Sequence, residues 1–191
     1  MKVVAFSGSA RKDGNTALLV KQVFAELDRA GVETELVQLA GKKIRGCTAC
    51  MKCFENKNGH CVIDNDFANE AVEKMIAADG IILASPTYFS DVTTEMKALI
   101  DRTGMVVRAN GNLLRRKAGA GVVAVRRGGA MHALQTLQNY FMIGEMIIPG
   151  SSYWNIGFGR LPGDVETDEE GMNTMKQLGE NMAWLLKRLK D

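Results

Sequence analysis

The sequence predicts one doubly wound α/β domain over residues 1–191, built on five parallel strands with helices on both faces. Three observations predict it. Short apolar runs such as Val3–Phe6 and Gly80–Ser85 are unbroken, as in strands covered on both sides. These runs alternate along the chain with stretches of helical periodicity. Three of them end in loops rich in small residues or glycine, and ligand loops sit at the carboxyl ends of parallel strands.

Composition agrees. A chain of 191 residues suits one domain with an ample core, and its 46% hydrophobic and 24% charged residues are ordinary for a soluble fold. A net charge of +2 gives no bulk electrostatic case for nucleic acid or an anionic membrane. No apolar run is long enough to span a bilayer, and Met1-Lys2-Val3 leads straight into a strand, leaving no room for a signal peptide. The expected compartment is the cytoplasm, where clustered cysteines mean metal or redox work more often than disulfides.

The first strand leads into Ser7 to Thr16, S-G-S-A-R-K-D-G-N-T, and then a helix from Thr16 to Ala30. The first N–H groups of a helix lack internal partners and carry partial positive charge, which suits an anion. Ser7, Ser9, Asn15 and Thr16 add side-chain donors, and Arg11 adds a fork that matches a phosphate. Neither G-x-G-x-x-G nor the G-K-[ST] ending of a P-loop is present, so a terminal phosphate monoester fits better than a pyrophosphate. The helix buries Leu19, Val20, Val23, Phe24 and Leu27. Glu33 to Leu39 reads as a second strand, and its early polar–apolar alternation points to a wetter face or an edge.

The connection from Ala40 to Asn65 is long, and long structured insertions are often functional. A cysteine-rich insertion at about 41–65 carries Cys47-x2-Cys50-x2-Cys53-x7-Cys61. A C-x2-C-x2-C run places three thiolates around one face of a [4Fe–4S] cube, with the fourth arriving from farther along. Structural zinc usually shows pairs separated by a dozen residues or more, and His60 beside Cys61 offers that alternative only weakly. Four reduced thiols without a metal are the third reading.

Asp64-Asn65-Asp66 reads as a cap for a helix carrying Val72, Met75 and Ile76. Gly80 to Ser85 is the third strand. Pro86, Thr87, Tyr88 and Phe89 follow at its carboxyl end, with apolar edges and backbone N–H groups suited to a planar ring. The next helix buries Val92, Met96, Leu99 and Ile100, with Lys97, Asp101 and Arg102 on its remaining positions. Gly119 to Val125 is a fourth strand, followed by Arg126-Arg127-Gly128-Gly129. There Gly128 and Gly129 permit close approach to a flat ligand. After a helix from Met131 to Gly144, Met146–Pro149 reads as the fifth strand, running on towards Tyr153. Trp154 to Gly163 reads as irregular. Thr167 with Glu170 fits a capping box for a last helix that buries Met172, Met175, Leu178, Met182, Leu185, Leu186 and Leu189. One loop for a phosphate and two for a ring point to FMN on a flavodoxin-like sheet of order 2-1-3-4-5.

These stretches resemble the flavodoxin-like NADPH-dependent FMN reductase family and, within it, the iron–sulfur flavoproteins. The resemblance rests on G-S-A-R-K-D-G-N-T, on the four-cysteine motif, on S-P-T-Y-F-S-D-V-T-T-E-M-K-A-L-I-D-R from Ser85 to Arg102, and on P-G-D-V-E-T-D-E-E-G-M from Pro162 to Met172. It implies that Ser7, Ser9, Arg11, Asn15 and Thr16 bind the FMN phosphate. Pro86, Thr87, Tyr88, Phe89, Gly128 and Gly129 would border the flavin ring, and Cys47, Cys50, Cys53 and Cys61 would hold a [4Fe–4S] cluster. It also implies a homodimer or homotetramer. The electron donor would be a ferredoxin-like protein or NAD(P)H, and the acceptor a small molecule or a protein. The chemistry would belong to the cofactors, with no catalytic acid or base. Two alternatives stand beside this expectation. One is an NAD(P)H-dependent FMN or quinone reductase without a cluster, and the other a non-catalytic FMN-binding module with structural zinc.

Overall fold

The computed structural model describes residues 1–190, so Asp191, the last residue of the expected domain, lies outside the described residues. Five parallel strands form one sheet in the order β2-β1-β3-β4-β5. They are β1 (Lys2–Ser7), β2 (Glu33–Gln38), β3 (Gly80–Pro86), β4 (Ala118–Val125) and β5 (Ile156–Phe158). The helices are α1 (Asn15–Arg29), α2 (Lys52–Asn56), α3 (Ala68–Ala77), α4 (Thr94–Ala109), α5 (Ala130–Ile143) and α6 (Glu169–Arg188), with a 3₁₀ turn over Asp164–Thr167. This is the expected flavodoxin-like topology.

The unbroken apolar runs have a simple cause. Successive residues of a strand point to opposite faces, and here each face is covered. Val4, Phe6, Ile81, Leu83 and Val123 pack with residues of α3, α4 and α5. Val3, Ala5, Ile82, Ala84 and Val122 pack with residues of α1 and α6. β2 alternates because it is an edge strand, with Glu33 and Glu35 paired to Lys2 at 3.2 and 2.9 Å.

Four expectations change. The fifth strand is Ile156–Phe158, within the stretch expected to be irregular. Ile147 makes one isolated parallel bridge with Ala118. Pro149 has no N–H with which to extend that pairing. The chain instead turns, anchored by Asn155 Nδ2 donating to the Gly121 carbonyl at 3.0 Å, and rejoins β4 at Ile156. Asp168, not Thr167, caps α6, its Oδ1 accepting the Gly171 N–H at 3.0 Å. Ile76 and Leu189 are exposed rather than packed. Arg102 is buried, at 1% exposure, although the sequence reading put it among the polar positions of α4.

The cysteine-bearing connection between β2 and α3 leaves and returns at one point, because the Phe67 N–H donates to the Lys43 carbonyl at 2.9 Å. Asp66 caps the first turn of α3, its Oδ1 accepting the Ala68 N–H at 3.1 Å.

Candidate functional site

The loop after β1 is built as an anion cradle would be. Gly14 stands at the N-cap of α1 with no side chain to satisfy the first-turn N–H groups, and no acidic residue occupies that turn. Ser7, Ser9 and Thr16 are buried and Arg11 is exposed. Ser9 Oγ accepts the Arg11 N–H at 3.1 Å, which fixes the turn between them. Asn15 does not stand free. Its Oδ1 accepts the Gly163 N–H at 2.9 Å and so ties α1 to the loop after β5. Arg11 Nη1 reaches the Arg160 carbonyl on that same loop, at 3.4 Å.

This loop is locked to the start of α4. Thr93 Oγ1 donates to the Gly8 carbonyl at 2.9 Å, and the Gly8 N–H donates to the Ala84 carbonyl at 2.8 Å. A Cβ on Gly8 would lie 2.6 Å from Thr93 Oγ1 and 2.9 Å from Met96 Cβ, so only glycine fits there.

The loop after β3 is a tight turn. Tyr88 and Asp91 exchange backbone hydrogen bonds of 2.8 and 3.1 Å around Phe89 and Ser90. Both central residues have positive φ, 49° and 65°, which is costly without glycine and presents their side chains outward. Tyr88 is about half exposed and Phe89 fully so, which removes any role for either in the core. Thr87 Oγ1 is buried without a hydrogen-bond partner, a donor left over at the point where the ring was expected.

The loop after β4 packs on this turn. Gly129 has φ of 85°, and a Cβ there would stand 2.8 Å from Ser90 Oγ and 2.9 Å from Ser90 Cα. Gly128 has open space around it. Both glycines line a cavity of about 340 Å³ with Tyr153, Trp154, Phe158 and Asp168. The loop after β1 thus meets the start of α4 at Gly8, and Gly129 after β4 lies against Ser90 of the loop after β3.

The four cysteines converge as well. Cys47, Cys50, Cys53 and Cys61 line one small cavity, walled by Met51, Ile63, Met105 and Val106. Asn69 grips Cys61 from both sides, its Oδ1 accepting the Cys61 N–H at 2.8 Å and its Nδ2 donating to the Cys61 carbonyl at 3.0 Å. Positive φ at Ala49 and Met51 gives the Cys47–Cys53 segment its tight curl. The Lys52 N–H and then the Thr48 hydroxyl hold the Cys50 thiol below its ordinary pKa, whereas burial pushes Cys53 up. No three His, Cys, Asp or Glu side chains among the described residues form a donor group for a single metal ion. The four cysteines bring soft sulfur donors, the kind that iron–sulfur groups take, to one cavity that Thr48 and Arg102 also line.

Sequence reasoning missed three residues. Thr93 caps α4, its Oγ1 accepting the Met96 N–H at 3.3 Å, and a threonine two residues before a charged helical turn is a legible signal. Arg102 lies three residues beyond Leu99, on the apolar face of α4, where spacing marks it as buried. Trp154 gave no local signal.

Comparisons with known proteins agree with this architecture. Residues 1–160 match the family described as NADPH-dependent FMN reductase. An iron–sulfur flavoprotein of Methanocaldococcus jannaschii is 39% identical over 197 residues, covering all of both chains. An iron–sulfur flavoprotein of Methanosarcina thermophila is 33% identical over 189 residues, 97% of this chain and 95% of that one. Among solved structures, RosB with a bound 8-demethyl-8-formylriboflavin-5′-phosphate intermediate superposes with a TM-score of 0.75 at 19% identity, over 100% of this chain and 80% of RosB. An NAD(P)H:quinone oxidoreductase of Methanothermobacter marburgensis superposes with a TM-score of 0.71 at 14% identity, over 95% and 96%. At those identities the two structures share the fold.

Proposed function

This chain belongs to the NADPH-dependent FMN reductase family, in its iron–sulfur flavoprotein branch, and on that footing we propose that it is an FMN-dependent oxidoreductase passing electrons between a [4Fe–4S] cluster and FMN. The observation that carries the reading is the convergence of Cys47, Cys50, Cys53 and Cys61 on one cavity. A single ion needs its donors gathered into one coordination shell, whereas a four-iron cube takes one thiolate at each iron and needs them spread.

Ser7, Ser9, Thr16 and Arg11 hold the FMN phosphate through hydroxyls, helix N–H groups and a charged fork. Asn15 contributes by positioning, through its bond to Gly163. Pro86, Thr87, Tyr88 and Phe89 border the flavin ring on one side, Gly128 and Gly129 on another, and the unpartnered Thr87 hydroxyl supplies a hydrogen bond. The bound cofactors supply one- and two-electron chemistry, and the protein supplies position and electrostatics. No side chain is assigned as an acid or base. The donor is a ferredoxin-like protein or NAD(P)H, the acceptor is a small molecule or another protein, and the working unit is a homodimer or homotetramer.

Anaerobic purification with iron and sulfide analysis tests the cluster, and Cys50→Ser tests its role. A hydroxyl is a poor, harder ligand for iron, so the variant loses the cluster. FMN stays bound, because its loops lie elsewhere in the chain. Reduction of FMN by reduced ferredoxin then slows sharply, while any direct reaction with NADPH persists. Unchanged ferredoxin-driven reduction sinks the relay. The second reading, an NAD(P)H-dependent FMN or quinone reductase, then takes its place, favoured by the family description and by the exposed Arg126 and Arg127 beside the ring loops.

A further inference from the structure

Resting on the cluster reading above, we infer that Arg102 is the charge partner of the cysteine-held cluster, presenting its Nε–H and its positive charge to the cavity that the four sulfurs line. The guanidinium is 1% exposed. Its Nη1 donates to the Arg45 carbonyl at 3.2 Å and to Asp66 Oδ2 at 3.0 Å. Its Nη2 donates to the Ile63 carbonyl at 2.9 Å and to Asp66 Oδ1 at 3.3 Å. Nε is buried with no acceptor. Arg102 lines the same cavity as all four cysteines.

A buried guanidinium ordinarily satisfies its donors, because an orphaned buried N–H is costly. Four of this group's contacts serve the segment from Arg45 to Asp66, which brackets the cysteines. The remaining donor is the one that this bracing does not use. Bracing alone explains Nη1 and Nη2 and leaves Nε unexplained. Sulfide and thiolate sulfurs accept hydrogen bonds, and hydrogen bonds to sulfur and nearby charge set cluster potentials. A cluster with four thiolate ligands carries net negative charge, and reduction adds more. Asp66 neutralises much of Arg102 at 3.0 Å, yet the cavity lining still places Arg102 beside Cys61. Met105 and Val106 line the inner side of that cavity, and a cation beside a cluster favours its reduced, more negative state.

The test replaces the pair together, Arg102→Met with Asp66→Asn, so that no buried carboxylate is left unpaired. Arg102→Lys keeps the charge and serves as the rescue. Protein reconstituted anaerobically with iron and sulfide is titrated by spectroelectrochemistry, with the electron paramagnetic resonance of the reduced cluster read in parallel. The FMN potential is the internal control. The neutral pair shifts the cluster potential to more negative values and alters its resonance, while FMN shifts less. If the neutral pair assembles no cluster, Arg102→Lys restores assembly. A wild-type cluster potential in the neutral pair overturns the inference alone, as does failure of Arg102→Lys to restore a lost cluster, and Arg102 is then a brace. A wild-type chain that takes up no iron or sulfide overturns the cluster reading and this inference with it.

Discussion

Thr93 joins the loop after β1 to the start of α4 through Gly8: its hydroxyl donates to the Gly8 carbonyl at 2.9 Å while its Oγ1 accepts the Met96 N–H at 3.3 Å. One buried side chain thus caps a helix and ties the loop after β1 to it. Thr93→Val removes both bonds and leaves the Gly8 carbonyl unpaired. The expected loss is about 1–3 kcal/mol of stability in denaturant unfolding, with weaker FMN binding in titration. A valine variant with wild-type stability and affinity removes Thr93 from the site.

Arg11 and Asn15 separate under substitution. Arg11 is exposed; under its proposed phosphate role, Arg11→Ala weakens FMN by about 1.5–3 kcal/mol and leaves riboflavin nearly unchanged. Asn15 holds Gly163. Asn15→Ala therefore weakens both flavins and lowers the melting temperature. Fluorescence titrations with the two flavins distinguish these outcomes, and equal losses in Arg11→Ala count against its phosphate role.

Tyr88 stands about half exposed on a turn whose geometry is set by backbone bonds. Tyr88→Ala changes stability by no more than about 0.5 kcal/mol, as for surface positions. The bound-flavin spectrum and potential shift, because an aromatic neighbour of the ring is gone. Unfolding of the variant sinks this assignment.

Asp66 makes acid stability measurable at one residue. Burial alone would raise its pKa, but the Ala68 N–H, Arg102 and the Arg45 N–H more than offset it and hold the carboxyl below the usual range. A carboxyl depressed in the fold contributes stability that is fully present above its unfolded pKa. That contribution is lost as pH falls through the folded value, so the loss sets in below about pH 4. Denaturant midpoints measured against pH fall more steeply for the wild type than for Asp66→Asn across that window. At pH 7, Asp66→Ala costs about 3–5 kcal/mol, because Arg102 is left buried and unpaired. Parallel pH profiles for wild type and Asp66→Asn refute the assignment.

Legibility tracked locality. β1, β3 and β4 are fully covered strands, and their apolar runs announce them. The Ser7–Thr16 loop and the four cysteines are contiguous or nearly so, and the shared cavity of the cysteines follows their spacing. The fifth strand failed because Met146–Pro149 has the composition of a strand, while pairing was decided by a proline and by the bond from Asn155 to distant Gly121. For Arg102 the spacing shows the buried position but not the partners: Asp66, Arg45 and Ile63 lie tens of residues away, and no window around α4 contains them. Asn15 bonds Gly163, from the other end of the chain, a partner that no local window contains.

The hydrogen bond between Lys43 and Phe67 pins the cysteine-bearing excursion at its root, and Arg102 pins it again from α4 through Arg45, Ile63 and Asp66. A loop tied at its base and along its length has little conformational entropy left to lose. The four cysteines that it carries are therefore held beside one cavity by the fold itself, before anything binds between them.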